Sequence, residues 1–149
     1  MQRISLIFYL IFLLPQWVFA SCTITTPSFN FGDYDPQGAT PTTGAGTLTT
    51  SCTNNARMDY TISSSAGNSG SYVNRYVAHG ANHLPYNLYV DPAYLSIWGN
   101  GSPGTNIIIR RRQKCGKVSC TDIIYGRIPA LQSVPPGQYT DMITIFLQY

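Results

Sequence analysis

Four cysteines, two histidines and one run of cations are the residues of this chain whose types and spacing could do chemistry. Cys22, Cys52, Cys115 and Cys120 could pair as disulfides or hold a metal, and His79 and His83 could act as ligands or bases. Arg110-Arg111-Arg112 with Lys114 and Lys117 could meet an anion. A structural zinc site needs two linked ligand pairs. Cys-x4-Cys at 115–120 and His-x3-His at 79–83 are not joined by a second recognisable pair, so no metal is expected. For catalysis the chain lacks Gly-x-Ser-x-Gly and Ser-x-x-Lys, and it contains no Glu to make a glutamate acid pair. The two histidines sit beside Gly80 and Pro85 and read as loop residues without a partner motif. Trp98 and the 11 tyrosines could stack on sugars, but such residues more often fill a core. Neither an enzyme nor a cofactor is expected. The basic run reads as a solvated loop held by a Cys115–Cys120 bridge.

The elements that must carry these residues follow from composition. At 149 residues the chain is long enough for one domain. Only 10% of residues are charged, and a net charge of +3 is too weak a bias to argue for nucleic acid. Aromatic content of 13% argues against disorder. Thr, Ser, Gly and Tyr dominate while strong helix formers are scarce, which excludes a helical bundle.

Residues 1–20 read as a signal peptide. Met1-Gln2-Arg3 gives a positive start and Ile4 to Leu14 an apolar run, followed by Pro15 and Gln16. Val18-Phe19-Ala20 then puts small residues where a signal peptidase cuts. The run is shorter than the about 20 residues of a membrane-spanning helix. Export is therefore expected, with a mature domain over 21–149. In an oxidising compartment an even number of cysteines implies disulfides. Three pairings are possible. Local pairing, Cys22–Cys52 and Cys115–Cys120, is expected because each bridge would tie neighbouring strands or close one loop.

Strand signals recur along the mature chain. Phe29-Asn30-Phe31 alternates, residues 36–46 read as an exposed loop, and strands are expected at Gly46–Thr53 and Arg57–Ser63. Further strands are expected at Tyr72–Val77, Leu84–Val90 and Asp122–Ala130, and Ile107-Ile108-Ile109 is short and apolar. From Tyr139 to Tyr149 period two holds over eleven residues: Tyr139, Asp141, Ile143, Ile145, Leu147 and Tyr149 on one face, Thr140, Met142, Thr144, Phe146 and Gln148 on the other. Short strands with intervening turns point to an all-β, antiparallel sandwich. The sequence ends inside this apolar strand, which leaves an edge in need of protection unless it is paired on both sides.

Several stretches together resemble a known family. Cys22-x-Ile24, Phe31-Gly32-Asp33-Tyr34-Asp35 and Ser51-Cys52 are similar to the opening of the spore coat protein U domain. Leu84-Pro85-Tyr86-Asn87-Leu88-Tyr89-Val90-Asp91, then Ile97-Trp98-Gly99-Asn100-Gly101, resemble its centre. Ile124-Tyr125-Gly126-Arg127-Ile128 and Gly137-Gln138-Tyr139-Thr140-Asp141 resemble its ending. The likeness runs in order from Cys22 to Tyr149. It implies an immunoglobulin-like sandwich lacking its final strand, as in subunits of archaic, Csu-type chaperone–usher pili, a family that also includes a spore coat protein. A periplasmic chaperone and then the N-terminal extension of the next subunit would fill the gap, delivered through an outer-membrane usher to the cell surface. In that reading Tyr139, Ile143, Ile145, Leu147 and Tyr149 border the groove. The expected role is structural, in surface adhesion or biofilm formation. Only Ser21 lies between the expected cleavage site and Cys22, and one residue spans at most ~3.6 Å. The subunit is therefore expected to accept a strand without donating one, in a minor or terminal position. A self-contained coat or surface protein that does not polymerise is the alternative.

Overall fold

A computed structural model of the chain describes residues 21–26, 28–53 and 57–149. The expected signal peptide lies outside the described residues. Among the described residues nine strands follow one another: β1 (Cys22–Thr25), β2 (Thr42–Cys52), β3 (Met58–Ser64), β4 (Tyr76–His79), β5 (Asn82–Pro85), β6 (Asn87–Tyr89), β7 (Ile108–Gln113), β8 (Cys120–Ile128) and β9 (Ile145–Gln148). A 3₁₀ turn occupies Gly67–Ser69.

The strands form two antiparallel sheets, ordered β1-β2-β8-β6 and β7-β3-β9, with the hairpin β4-β5 beside them. Period-two burial sets the faces. On β2, Leu48, Thr50 and Cys52 turn inward, and on β8 so do Asp122, Ile124, Gly126 and Ile128. Across the interior, Tyr60, Ile62 and Ile108 come from the second sheet, and Trp98 sits between the two layers. Full burial of each such side chain contributes about 1.5–3 kcal/mol. The fold is thus an immunoglobulin-like sandwich, and no α-helix occurs among the described residues.

Both disulfides close at one end of this sandwich. Cys22 faces Cys52 in the β1–β2 register and is bonded to it, and Cys115 is bonded to Cys120 at the start of β8. The Cys52 N–H donates to the Cys115 carbonyl at 2.8 Å, which joins the two bridges.

The strand boundaries differ from those read in the sequence at informative places. β2 begins at Thr42, four residues inside the expected loop 36–46, because Thr42 to Gly46 pair with Ile128 to Ile124 of β8. The expected strand Leu84–Val90 is two strands. Pro85 ends β5, and at Tyr86 the chain leaves the hairpin for the first sheet, its N–H donating to the Arg75 carbonyl at 3.0 Å. The expected strand 72–77 starts only at Tyr76. Arg110, Arg111 and Arg112 lie on β7 rather than in a loop, and His79 and His83 lie on β4 and β5. The tail 139–149 is not one strand: Thr140 bridges to Ala78, and regular pairing resumes only at Ile145.

Candidate functional site

An open groove of about 1150 Å³ runs along one flank of the sandwich. One wall is the stretch from Ser28 to Pro36, the other the stretch from Val134 to Ile145. Its floor is apolar, built from Leu48, Leu84, Tyr86, Leu88, Trp98 and Ile124.

The first wall is extended but belongs to no strand. Its alternating residues Phe29 and Phe31 turn inward and pack against each other at 4.9 Å between ring centroids. They lie over glycines: a Cβ on Gly126 would come within 2.6 Å of the Phe29 ring and 2.7 Å of the Phe31 ring, and one on Gly46 within 2.6 Å of Phe29. Missing side chains on β2 and β8 therefore make the trough that receives the two rings. Phe31 also meets the Tyr86 ring edge-on at 5.8 Å.

The second wall leads into β9, which pairs with β3 and with no other strand among the described residues. The Ser65 N–H donates to the Thr144 carbonyl at 2.8 Å. In an antiparallel ladder the main-chain groups alternate sides, so Thr144, Phe146 and Gln148 address β3 while Ile145 and Leu147 turn theirs to the open flank. The same two residues pack their side chains on the core. β9 thus presents inward apolar side chains and an unpaired backbone edge together.

The two edges of this sheet are treated differently. At the β7 edge stand Arg110, Arg111 and Arg112, with a register irregularity opposite Met58–Tyr60 and a left-handed Arg112 (φ 55°). Charges and bulges of this kind block edge-to-edge pairing. The β9 edge, Ile145-Phe146-Leu147-Gln148, carries no charge.

Most polar groups beneath the groove bond to one another, with Arg75 Nε left unpartnered. The Tyr86 hydroxyl donates to Asp141 Oδ2 at 2.7 Å, and Asp141 Oδ1 accepts the N–H groups of Asn68 and Met142, each at 2.8 Å. Burial, then this bond to the carboxylate, pushes the Tyr86 pKa up. Arg75 is 0% exposed. Its Nη1 donates to Asn87 Oδ1 (3.0 Å) and the Trp98 carbonyl (2.8 Å), and its Nη2 to Ser64 Oγ (2.9 Å) and the Ser65 carbonyl (2.7 Å). Burial lowers its pKa. This guanidinium ties β6, the Trp98 segment and the end of β3 into one floor. Nearer the disulfides, Asp122 accepts from Tyr60 Oη (3.2 Å) and Arg110 Nε (2.7 Å), linking the two sheets.

Of the five residues expected at the groove, Tyr139, Ile143 and Ile145 line it. Leu147 packs on the core just beyond. Tyr149 departs from the expectation: it follows β9, is 54% exposed, and lies beside Asp59, Ile109 and Arg111 at a separate shallow depression. Phe29, Phe31, Tyr86 and Arg75 were not assigned to a site from sequence. The Phe29–Phe31 alternation was the one available signal. Among the described residues no group of three or more His, Cys, Asp or Glu is placed to hold a metal ion.

Comparison with known proteins follows this geometry. The Spore Coat Protein U domain profile matches residues 11–146. Among solved structures, this chain is similar to one in the crystal structure of the CsuC–CsuE chaperone–tip adhesion subunit pre-assembly complex from archaic chaperone–usher Csu pili of Acinetobacter baumannii. The TM-score is 0.57 at 17% identity, over 89% of this chain and 40% of that one. The present chain thus spans well under half of that protein's length, and the likeness is one of fold. No curated protein matches the sequence. With a profile match over most of its length, the chain belongs to the Spore Coat Protein U domain family.

Proposed function

We propose that this protein is an exported structural subunit of an archaic chaperone–usher pilus, which accepts a donor strand in the groove between Phe29–Phe31 and β9. The observation that carries this reading is the β9 edge: uncharged, paired on one side, and bordering an apolar groove. An added strand would gain main-chain hydrogen bonds along that edge and would place alternate side chains over the floor. A strand of about 5–6 residues, 17–20 Å long, is the natural occupant. The partners in this reading are a periplasmic chaperone, an outer-membrane usher and neighbouring subunits, and the site of action is the cell surface, in adhesion or biofilm formation. The role is structural and involves no catalysis or cofactor. A minor or terminal place in the fibre belongs to the same reading. It rests on cleavage after Ala20, which N-terminal sequencing of the exported protein tests.

One observation favours the second reading, a self-contained coat or surface protein. Phe29 and Phe31 already fill the glycine trough at one part of the floor. Thermal unfolding of the oxidised, exported protein separates the two, measured alone and with a peptide from a neighbouring subunit's N-terminal extension. A low transition that rises with peptide supports strand acceptance, since a ligand at 100 times its Kd stabilises by about 2.7 kcal/mol. A high, reversible transition indifferent to peptide supports the coat-protein reading.

A further inference from the structure

Charge is not spread evenly over this sandwich. Arg57, Arg110, Arg111, Arg112, Lys114 and Lys117 gather near the two disulfides, where the acidic side chains among the described residues are Asp59 and Asp122: six cationic side chains against two anionic ones, a side-chain balance of +4. The rest of the described chain holds Arg75 and Arg127 against Asp33, Asp35, Asp91 and Asp141, a balance of −2. Two of the six cations are engaged, Arg110 with Asp122 and Arg111 with Asp59 at 3.6 Å. Arg57, Arg112, Lys114 and Lys117 are exposed.

This end is also rigid and amphiphilic. The Cys115–Cys120 bridge closes a short loop, the Cys52–Cys115 main-chain bond holds that loop to β2, and Val118 stands 74% exposed at its tip beside Lys117. The chain enters the sandwich here as well. Ser21 N donates to Thr53 Oγ1 at 3.0 Å and the Ser21 carbonyl accepts from Thr53 N–H at 2.8 Å.

We propose that the disulfide-bonded end of the sandwich is a docking surface for anionic phospholipid headgroups. Cations held close to an anionic bilayer are attracted within a Debye length of it. An exposed apolar side chain next to a lysine, as Val118 is to Lys117, suits the boundary of headgroups and acyl chains. The surface is independent of strand acceptance, because the groove residues are not among the cations.

Co-sedimentation of the exported protein with vesicles tests this, with sedimentation in the absence of vesicles subtracted. The vesicles are equal parts phosphatidylglycerol and phosphatidylcholine, against pure phosphatidylcholine. Binding is expected only to the anionic vesicles and is lost at high salt. Lys114→Gln with Lys117→Gln is expected to weaken it on the order of 20–30-fold, roughly fivefold per charge, and Val118→Ser to weaken it further. Arg127→Gln, an exposed charge toward the far end of β8, is expected to leave binding unchanged. Equal binding to both vesicle types overturns the proposal, as does a double variant that binds like the parent or an Arg127 variant that loses as much. Binding to soluble polyphosphate without binding to anionic vesicles also overturns it, in favour of a phosphate polymer.

Discussion

Tyr86 and Asp141 join the floor of the groove to its second wall through a 2.7 Å hydrogen bond from the phenol to the carboxylate. Tyr86 stands where the chain passes from the β4–β5 hairpin to the first sheet, and Asp141 lies between the Thr140 bridge and β9. Tyr86→Phe removes the hydroxyl but leaves Asp141 its two N–H donors. Hydrogen bonds to charged groups contribute about 1.5–3 kcal/mol. The expected outcome is a destabilisation of that order in urea unfolding, with the Trp98 emission altered because Trp98 shares the floor. A variant as stable as the parent would show that the wall is held by packing alone.

Arg75 is the least replaceable side chain of the floor. Its two terminal nitrogens each serve two acceptors, and all four would lose a donor in Arg75→Met. Leaving buried polar groups unpaired costs about 1–3 kcal/mol each. Loss of soluble folded protein is the expected result. Arg75→Lys should rescue little, because an ammonium cannot reproduce the planar fork. Soluble yield and the denaturation midpoint check both variants.

The Tyr60 phenol gives an alkaline prediction. Burial, then the Asp122 carboxylate beside it, raises its pKa from 10.0 to about 12. The folded state therefore holds the proton more tightly than the unfolded chain. That stabilisation is fully present below pH about 10 and is lost as pH rises through about 12, amounting to at most about 2–3 kcal/mol. Stability measured across this window should fall, and Tyr60→Phe should flatten that part of the profile. A parent profile indifferent to pH between these limits would contradict the assignment.

The glycine trough predicts an effect of adding a single methyl group. In Gly126→Ala the new Cβ would meet both Phe29 and Phe31 closer than 3 Å. Overpacking of this kind costs about 1–3 kcal/mol. Combining it with Phe29→Ala and Phe31→Ala should add little beyond the phenylalanine losses, since the clash would already be relieved. Double-mutant cycles in urea measure this, and full additivity would mean the rings do not occupy the trough.

How much of this was legible in the sequence differs between the two walls. Alternation from Tyr139 onward placed Tyr139, Ile143, Ile145 and Leu147 on one inward face, because period two records which side of a strand meets the core. It could not show that Thr140 bonds to the hairpin, which delays β9 until Ile145. Tyr149 carries the same alternation past the end of the strand, where it stands 54% exposed beside Asp59 and Arg111 rather than over the core. Phe29 and Phe31 showed their pattern but not their location, since their seat is made by glycines on β2 and β8 far away in sequence. Arg75 gave no signal at all. Arginine is rarely buried, and only the tertiary arrangement brings four acceptors to it. The run Leu84–Val90 read as one strand because its apolar content is continuous, whereas Tyr86 marks a change of sheet.

The unequal edges of the three-stranded sheet carry a final consequence, one of valence. At the β7 margin, arginines and a left-handed residue make another strand unwelcome, while the β9 margin offers one uncharged line of main-chain groups. In the proposed reading, a sheet guarded in this way takes up a strand on one side only. It does not grow outward in both directions into an open stack.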